Sequence, residues 1–217
     1  MDFVCLNTST LIYMQRHRFL ASPASIFDSL IYLDPDESHH LARVLRLVPG
    51  NIVYAFDGRG AEYECEVVRA SKDRAELCIL ARLSNEVESS LQLTLAQALV
   101  KGDKFDWIVQ KATELGVTQI VPLITEHSEF KKAEGRELRL LRWRRIALEA
   151  TKQCGRRRLT EISEVQSLDQ FCTQTTDGLR FFFSERRGQK LSATSQNSLI
   201  TLLIGPEGGW SEREQME

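Results

Sequence analysis

Leu199-Ile200-Thr201-Leu202-Leu203-Ile204-Gly205-Pro206-Glu207-Gly208-Gly209-Trp210-Ser211-Glu212-Arg213-Glu214 is an apolar run that opens into a glycine-rich turn and then a helix start. Parallel sheets build ligand sites in this order, beyond the carboxyl ends of their strands. Residues 199–204 read as a strand buried on both faces, and Gly205, Gly208 and Gly209 let backbone approach a ligand closely. Ser211 with Glu214 three residues on is a capping box that predicts a helix beginning at Trp210 to Glu212. The sequence stops at Glu217, after barely one turn, so the expectation is a C-terminally truncated form of a longer protein. The turn is neither a P-loop nor the GxGxxG fingerprint. By itself it is as consistent with a structural turn as with a ligand loop, and Glu207 either binds a ligand or caps the next helix.

Upstream of this strand, elements alternate. Leu91–Leu99 reads as a strand. Phe105, Ile108, Val109, Ala112 and Leu115 form a helical stripe ended by Gly116, and Val117–Ile124 is a strand again, which together make a βαβ unit. A basic helix over Leu138–Cys154 and short strands near Glu161–Val165 and Leu179–Phe183 complete an α/β domain. Lys101 and Lys104 follow its first strand and so share a sheet edge with the glycine turn if the strands are parallel, with Asp103 as a helix N-cap.

Before the polar stretch 84–90 the pattern is different. Asn51–Phe56, Glu62–Arg69 and Ala75–Leu80 read as strands, the first two joined by the turn Asp57-Gly58-Arg59-Gly60. Pro35–Leu47 reads as one helix, with Leu41, Val44, Leu45 and Val48 at helical spacing. The result is a small β-barrel-like module, and the domain boundary falls in 84–90.

Positive charge is concentrated in two places. Between Arg136 and Arg158 there are nine cations, Arg156, Arg157 and Arg158 among them, against Glu137 and Glu149. This pattern suits phosphate neutralisation or a solvated helix face. In the small module, Arg16, His17 and Arg18 precede His39, His40, Arg43 and Arg46, and the i, i+4, i+7 spacing puts His39, Arg43 and Arg46 on one helical face. Adjacent histidines point apart on a helix, so RNA contact or structural hydrogen bonding is favoured over a metal.

The 217 residues carry a net charge of −2, 42% hydrophobic and 27% charged residues. No apolar run is long enough to span a membrane. Cys5, Cys65, Cys78, Cys154 and Cys172 lack metal-site spacing, which points to a reducing cytoplasm. Residues 1–13 lack a signal-peptide pattern and read as a disordered extension, or as a short arm packed on the body.

Six segments carry a resemblance when taken in order: RHRF (16–19), HHLARVLRL (39–47), FDGRGAEY (56–63), KGDKFDWIVQKATELGVTQIVP (101–122), EATKQCGRRR (149–158) and LLIGPEGGWSEREQ (202–215). Together they resemble the ribosomal small-subunit RNA uridine-N3 methyltransferases, the RsmE type within the SPOUT superfamily. The resemblance implies a PUA-like RNA-binding β-barrel over 14–84 and an α/β domain over 91–217, whose trefoil knot, incomplete here, holds S-adenosylmethionine. It implies cofactor contacts at Leu203, Ile204, Gly205, Glu207, Gly208 and Gly209. RNA contacts fall at Arg16, Arg18, His40, Arg43 and Arg46, with Lys101, Lys104, Arg156 and Arg157 bordering the target nucleotide. Arg156, Arg157 and Glu207 are the candidates for chemistry, and the acceptor of the N3 proton stays open. Expected partners are small-subunit (16S) ribosomal RNA or the 30S subunit and a second copy in a homodimer, without metal or membrane. Thr160 stands where the family tends to carry proline. The competing expectation is a non-catalytic RNA-binding module with a dimerising α/β domain. A nucleotide- or nicotinamide-dependent oxidoreductase lacks its fingerprint here.

Overall fold

The computed structural model describes residues 16–84, 88–128, 135–174, 178–184 and 198–216, so the expectations for residues 1–13 lie outside the described residues. Two compact units divide between residues 85 and 86.

In the first unit β1 (Arg18–Leu20), β2 (Leu30–Tyr32), β3 (Ile52–Phe56), β4 (Glu62–Arg69) and β5 (Glu76–Arg82) form one sheet in the order β1-β3-β4-β5-β2, curled into a half-barrel. The predicted hairpin forms between β3 and β4, with Phe56 opposite Glu62. Its turn is fixed by Asp57 Oδ1, which accepts from the backbone N–H of Arg59 (2.7 Å) and Ala61 (3.0 Å). Alternate strand residues, among them Phe19, Ile31, Val53, Val67 and Leu77, meet Leu41 in a closed core.

The single helix expected over Pro35–Leu47 does not form. Asp34 caps α1 (Pro35–His39) by accepting from the Glu37 N–H, and the chain then winds as a π turn over His40–Val44. The Leu45 N–H donates to His40 O at 2.9 Å, five residues back, and Arg46 takes φ +55°. A wider turn changes the angular step per residue. Leu41 therefore points inward while Val44 and Val48 are 61% and 57% exposed. Arg46 lies past the Leu45 cap and so is not on a helix with His39 and Arg43, although all three are exposed.

The second unit is a parallel α/β layer. β6 (Gln92–Ala98), α2 (Lys104–Glu114), β7 (Gln119–Ile124), α3 (Arg136–Cys154), β8 (Glu161–Ile162), β9 (Gln166–Ser167), α4 (Leu168–Thr173), β10 (Leu179–Phe183) and β11 (Leu199–Ile204) follow in order. The sheet runs β10-β11-β6-β7-β8, with β9 also on β7, and every pairing is parallel. The strand expected near Glu161–Val165 forms only over Glu161–Ile162, and β9 follows it outside that range. Phe105, Val109, Trp143 and Ala147 from α2 and α3 pack on one face against Leu95 and Ile120. On the other face Ala96, Val121 and Leu203 meet Phe171 of α4 and Trp210.

Three local expectations need correction here. β11 is central, yet Leu203 is its one buried residue, and Leu199 at the strand start is 41% exposed. Leu115 falls at the C-cap of α2, where the helical stripe has ended, and is 83% exposed. Asp103 occupies the N-cap position of α2 but makes no capping bond, because its carboxylate faces Arg142 at 3.4 Å.

Candidate functional site

Parallel pairing brings the carboxyl ends of β6, β7, β10 and β11 to one edge of the sheet. The loops that emerge there hold the glycine turn. The Gly209 N–H donates to Pro206 O at 2.9 Å, and Gly209 takes φ +71°, a conformation that side chains disfavour. Gly205 lies against Trp210, and a Cβ added there would sit 3.0 Å from the indole ring. That ring is itself fixed, since Nε1 donates to Phe183 O (2.8 Å) and its face stacks on Phe182 with centroids 4.6 Å apart. A cavity of about 360 Å³ opens beside it, lined by Phe183, Ser184, Gly205, Gly208, Trp210 and Gln215. Its size falls in the small-molecule range. Ile204 also lines the cavity, whereas the Leu203 side chain is spent in the core.

The predicted capping box closes. The Ser211 N–H donates to Glu214 Oε2 (2.9 Å) and the Glu214 N–H to Ser211 Oγ (3.3 Å), but among the described residues they close a turn and not the expected helix. Glu207 joins the glycine turn to the loop after β6, because its Oε1 accepts from Lys104 Nζ (2.7 Å) and from the Lys101 N–H (3.3 Å). The Lys104 ammonium holds the Glu207 carboxyl below its usual range. Lys101, Lys104, Glu207 and the glycines are thus brought together. Gln97, 4% exposed at the end of β6, adds bonds from Nε2 to the carbonyls of Ala98 (3.0 Å) and Gly205 (3.4 Å).

Arg156 and Arg157 lie elsewhere. Arg156 Nη1 donates to Thr113 O (3.0 Å), Val117 O (3.1 Å) and Thr160 Oγ1 (3.2 Å), and Nη2 to Glu88 Oε2 (3.3 Å). Those acceptors precede β6, β7 and β8, so this network sits at the amino edge of the sheet, about 20 Å of strand away from the glycine turn. Glu88 Oε1 also accepts from the N–H groups of Arg157 and Arg158 at 2.8 Å each. Within one chain, then, Arg156 and Arg157 do not share a site with Glu207. Much of the basic stripe is likewise internally engaged, with Arg142 on Asp106 and Asp103, and Arg144 on Glu164 at 3.1 Å.

In the first unit the guanidinium of Arg16 lies 4.8 Å over Tyr54, and Arg43 and Arg46 are exposed. His40 meets Phe19 edge-on at 6.1 Å. Arg18 does not join an RNA-facing surface. It is 7% exposed, lies 4.7 Å over Phe56 and pairs with Glu62 at 2.8 Å.

Gln97 and Trp210 were not singled out as site residues from the sequence. Gln97 carried the one usable signal, an amide inside the apolar end of β6. Among the described residues no group of three or more His, Cys, Asp or Glu is placed to hold a metal, and no helix is long and apolar enough to cross a membrane.

The geometry agrees with comparisons to known proteins. The RNA methyltransferase domain family matches residues 87–217, and the RNA methyltransferase PUA domain family matches residues 33–80. The chain is 30% identical to ribosomal RNA small subunit methyltransferase E of Synechocystis sp. over 95% of this chain and 69% of the relative. It is 28% identical to that of Bacillus subtilis over 82% and 74%. Among solved structures it is similar to ribosomal RNA small subunit methyltransferase E from Neisseria gonorrhoeae bound to S-adenosyl methionine, with TM-score 0.83, 30% identity and coverage of 93% of this chain and 84% of that one. A Legionella pneumophila methyltransferase in complex with the same cofactor gives the same TM-score, identity and coverages.

Proposed function

The chain belongs to the RNA methyltransferase family of ribosomal RNA small subunit methyltransferase E, and on that premise we propose that it methylates N3 of a uridine in small-subunit (16S) ribosomal RNA. It is an S-adenosylmethionine-dependent enzyme. The observation that carries this reading is the cavity beside the glycine turn, at the carboxyl edge of a parallel sheet.

The residues present fit the cofactor. The turn offers backbone groups and an aromatic wall, and Gly205 leaves a cradle against Trp210 that a side chain would fill. Ile204, Gly205, Gly208 and Gly209 would hold the cofactor, whereas Leu203 packs in the core and does not line the cavity. When bound, S-adenosylmethionine supplies a methyl group activated on a sulfonium. The chain's own residues orient the base and offset charge. The uracil must leave any base pair, because N3 lies on the pairing edge. Lys101 and Lys104 stand at the same sheet edge and would favour negative charge on the uracil as its N3 proton passes to solvent. Glu207 is a loop tie rather than the base, because its Oε1 is taken by Lys104 Nζ and the Lys101 N–H, and the Lys104 ammonium lowers the carboxylate's affinity for a proton.

Residues 14–84 form the PUA-like RNA-binding module, with Arg16, Arg43 and Arg46 on the phosphate backbone, and 91–217 the catalytic domain. The protein works in the cytoplasm as a homodimer. Trp107, Leu138 and Leu141, 63%, 74% and 55% exposed on α2 and α3, give the second unit apolar surface that a second copy would cover.

The test is transfer of labelled methyl from S-adenosylmethionine to 30S subunits, with the product nucleoside identified by mass spectrometry. N3-methyluridine is the expected product. RNA binding without cofactor binding would instead favour the non-catalytic module.

Two predictions attach to the cavity. Gly205→Val should weaken S-adenosylmethionine binding at least about tenfold by calorimetry, because the branched side chain displaces the Trp210 ring. The second concerns pH. A carboxyl lowered in the folded state keeps its contact above the ordinary range and loses it as pH falls through the lowered value. Cofactor affinity should therefore stay level from about pH 8 to 5 and fall below about pH 4, and Glu207→Gln should remove the acid-limb loss that Glu207 causes.

A further inference from the structure

The chain leaves β7 through the tight turn Thr125–Ser128, at the same sheet edge as the glycine turn. This turn is locked from within. The Thr125 N–H donates to Ser128 Oγ (3.0 Å), the Ser128 N–H to Thr125 O (3.2 Å), and the two hydroxyls are 2.8 Å apart. Thr125 and Ser128 are 3% and 4% exposed, so the two residues between them are presented on a fixed base. Each of those residues reaches the glycine-turn segment. The Glu126 N–H donates to Glu214 Oε1 at 2.8 Å, and the His127 ring Nδ1 lies 3.0 Å from Gly209 O. A carbonyl oxygen only accepts, so Nδ1 carries the proton. His127 also backs Gly208 closely, since a Cβ added to Gly208 would sit 3.2 Å from its Cβ.

We propose that His127 is a positioning residue for the cofactor, holding the Gly209 carbonyl so that the Gly208–Gly209 segment meets S-adenosylmethionine already shaped. The inference rests on the reading of this turn as the cofactor site. The turn is held from two sides. Glu207 ties it to the loop after β6, and His127 ties it to the loop after β7, across 82 residues of chain. His127 is exposed, so losing this one hydrogen bond costs little global stability. A turn freed of it must be ordered again at each binding event, and that cost falls on affinity. His127 acts through the turn, so the methyl-transfer step itself is unaffected once the cofactor is bound.

The test is calorimetric titration of S-adenosylmethionine into the wild-type chain, His127→Ala and His127→Gln, with methyl-transfer kinetics on 30S subunits and melting temperatures. His127→Ala should bind about five- to tenfold more weakly and raise KM for the cofactor by the same factor. Its kcat at saturating cofactor should stay within about twofold, with Tm within about 2 °C of wild type. His127→Gln should recover most of the affinity, because its amide N–H reaches the same carbonyl. Equal affinity in wild type and His127→Ala overturns the proposal and leaves the cofactor site standing. Weak binding in both variants, with or without a lower Tm, also overturns it. No binding by the wild type overturns the site reading and the proposal together.

Discussion

Arg18→Ala is expected to destabilise the first unit by about 3–5 kcal/mol, enough to unfold much of it at 37 °C. The side chains of Arg18 and Glu62 are each 4% exposed, and the guanidinium also covers Phe56. Truncating Arg18 removes the paired charge of a carboxylate that is itself only 4% exposed. The double change Arg18→Met with Glu62→Leu should recover most of the loss, because it removes both charges and keeps the volume. Urea unfolding followed by circular dichroism measures this. Trp107, Trp143 and Trp210 all lie in the second unit, so tryptophan fluorescence would report on that unit instead. RNA binding by Arg18→Ala should fall in step with the folded fraction. The exposed Arg43 and Arg46 provide the contrast, since alanine there should reduce the salt dependence of RNA binding and leave stability unchanged. Weaker RNA binding by a fully folded Arg18→Ala protein would restore Arg18 to the contact surface.

Arg156→Ala is expected to cost the second unit about 3 kcal/mol and to reduce activity through folding alone. The side chain, 13% exposed, supplies hydrogen bonds to two carbonyls, a hydroxyl and Glu88. Lysine cannot reproduce that fork, so Arg156→Lys should recover less than half of the loss. The decisive measurement is single-turnover methylation per folded molecule, at a temperature where the variant is mostly native. A rate near wild type fits a staple at the amino edge of the sheet, and a loss of several orders of magnitude would return Arg156 to the chemistry.

These two arginines show which parts of the molecule the sequence could convey. Strand alternation, the Asp57 turn and the βαβ unit were readable because each is set by neighbours in the chain. The meeting of Lys101, Lys104 and Glu207 was readable too, since parallel strands send the following loops to one edge. The internal partners of Arg18 and Arg156 escaped because a charged residue says nothing local about a carboxylate 44 or 68 positions away. The π turn at His40–Val44 escaped because helical spacing assumes 3.6 residues per turn throughout. His127 had no signal at all, for its partner is a backbone carbonyl, which every residue carries.

The strand order has a consequence for synthesis. β6 pairs with β7 within a short stretch of chain, but its other edge waits for β11, about 100 residues later. At about 5–20 residues per second, a ribosome needs roughly 5–20 s to supply that strand. Throughout that interval the middle of the future sheet is an open edge, the kind of surface on which unfinished chains pair with one another. The nascent chain therefore carries this aggregation-prone edge until the strand that leads into its ligand-binding turn emerges.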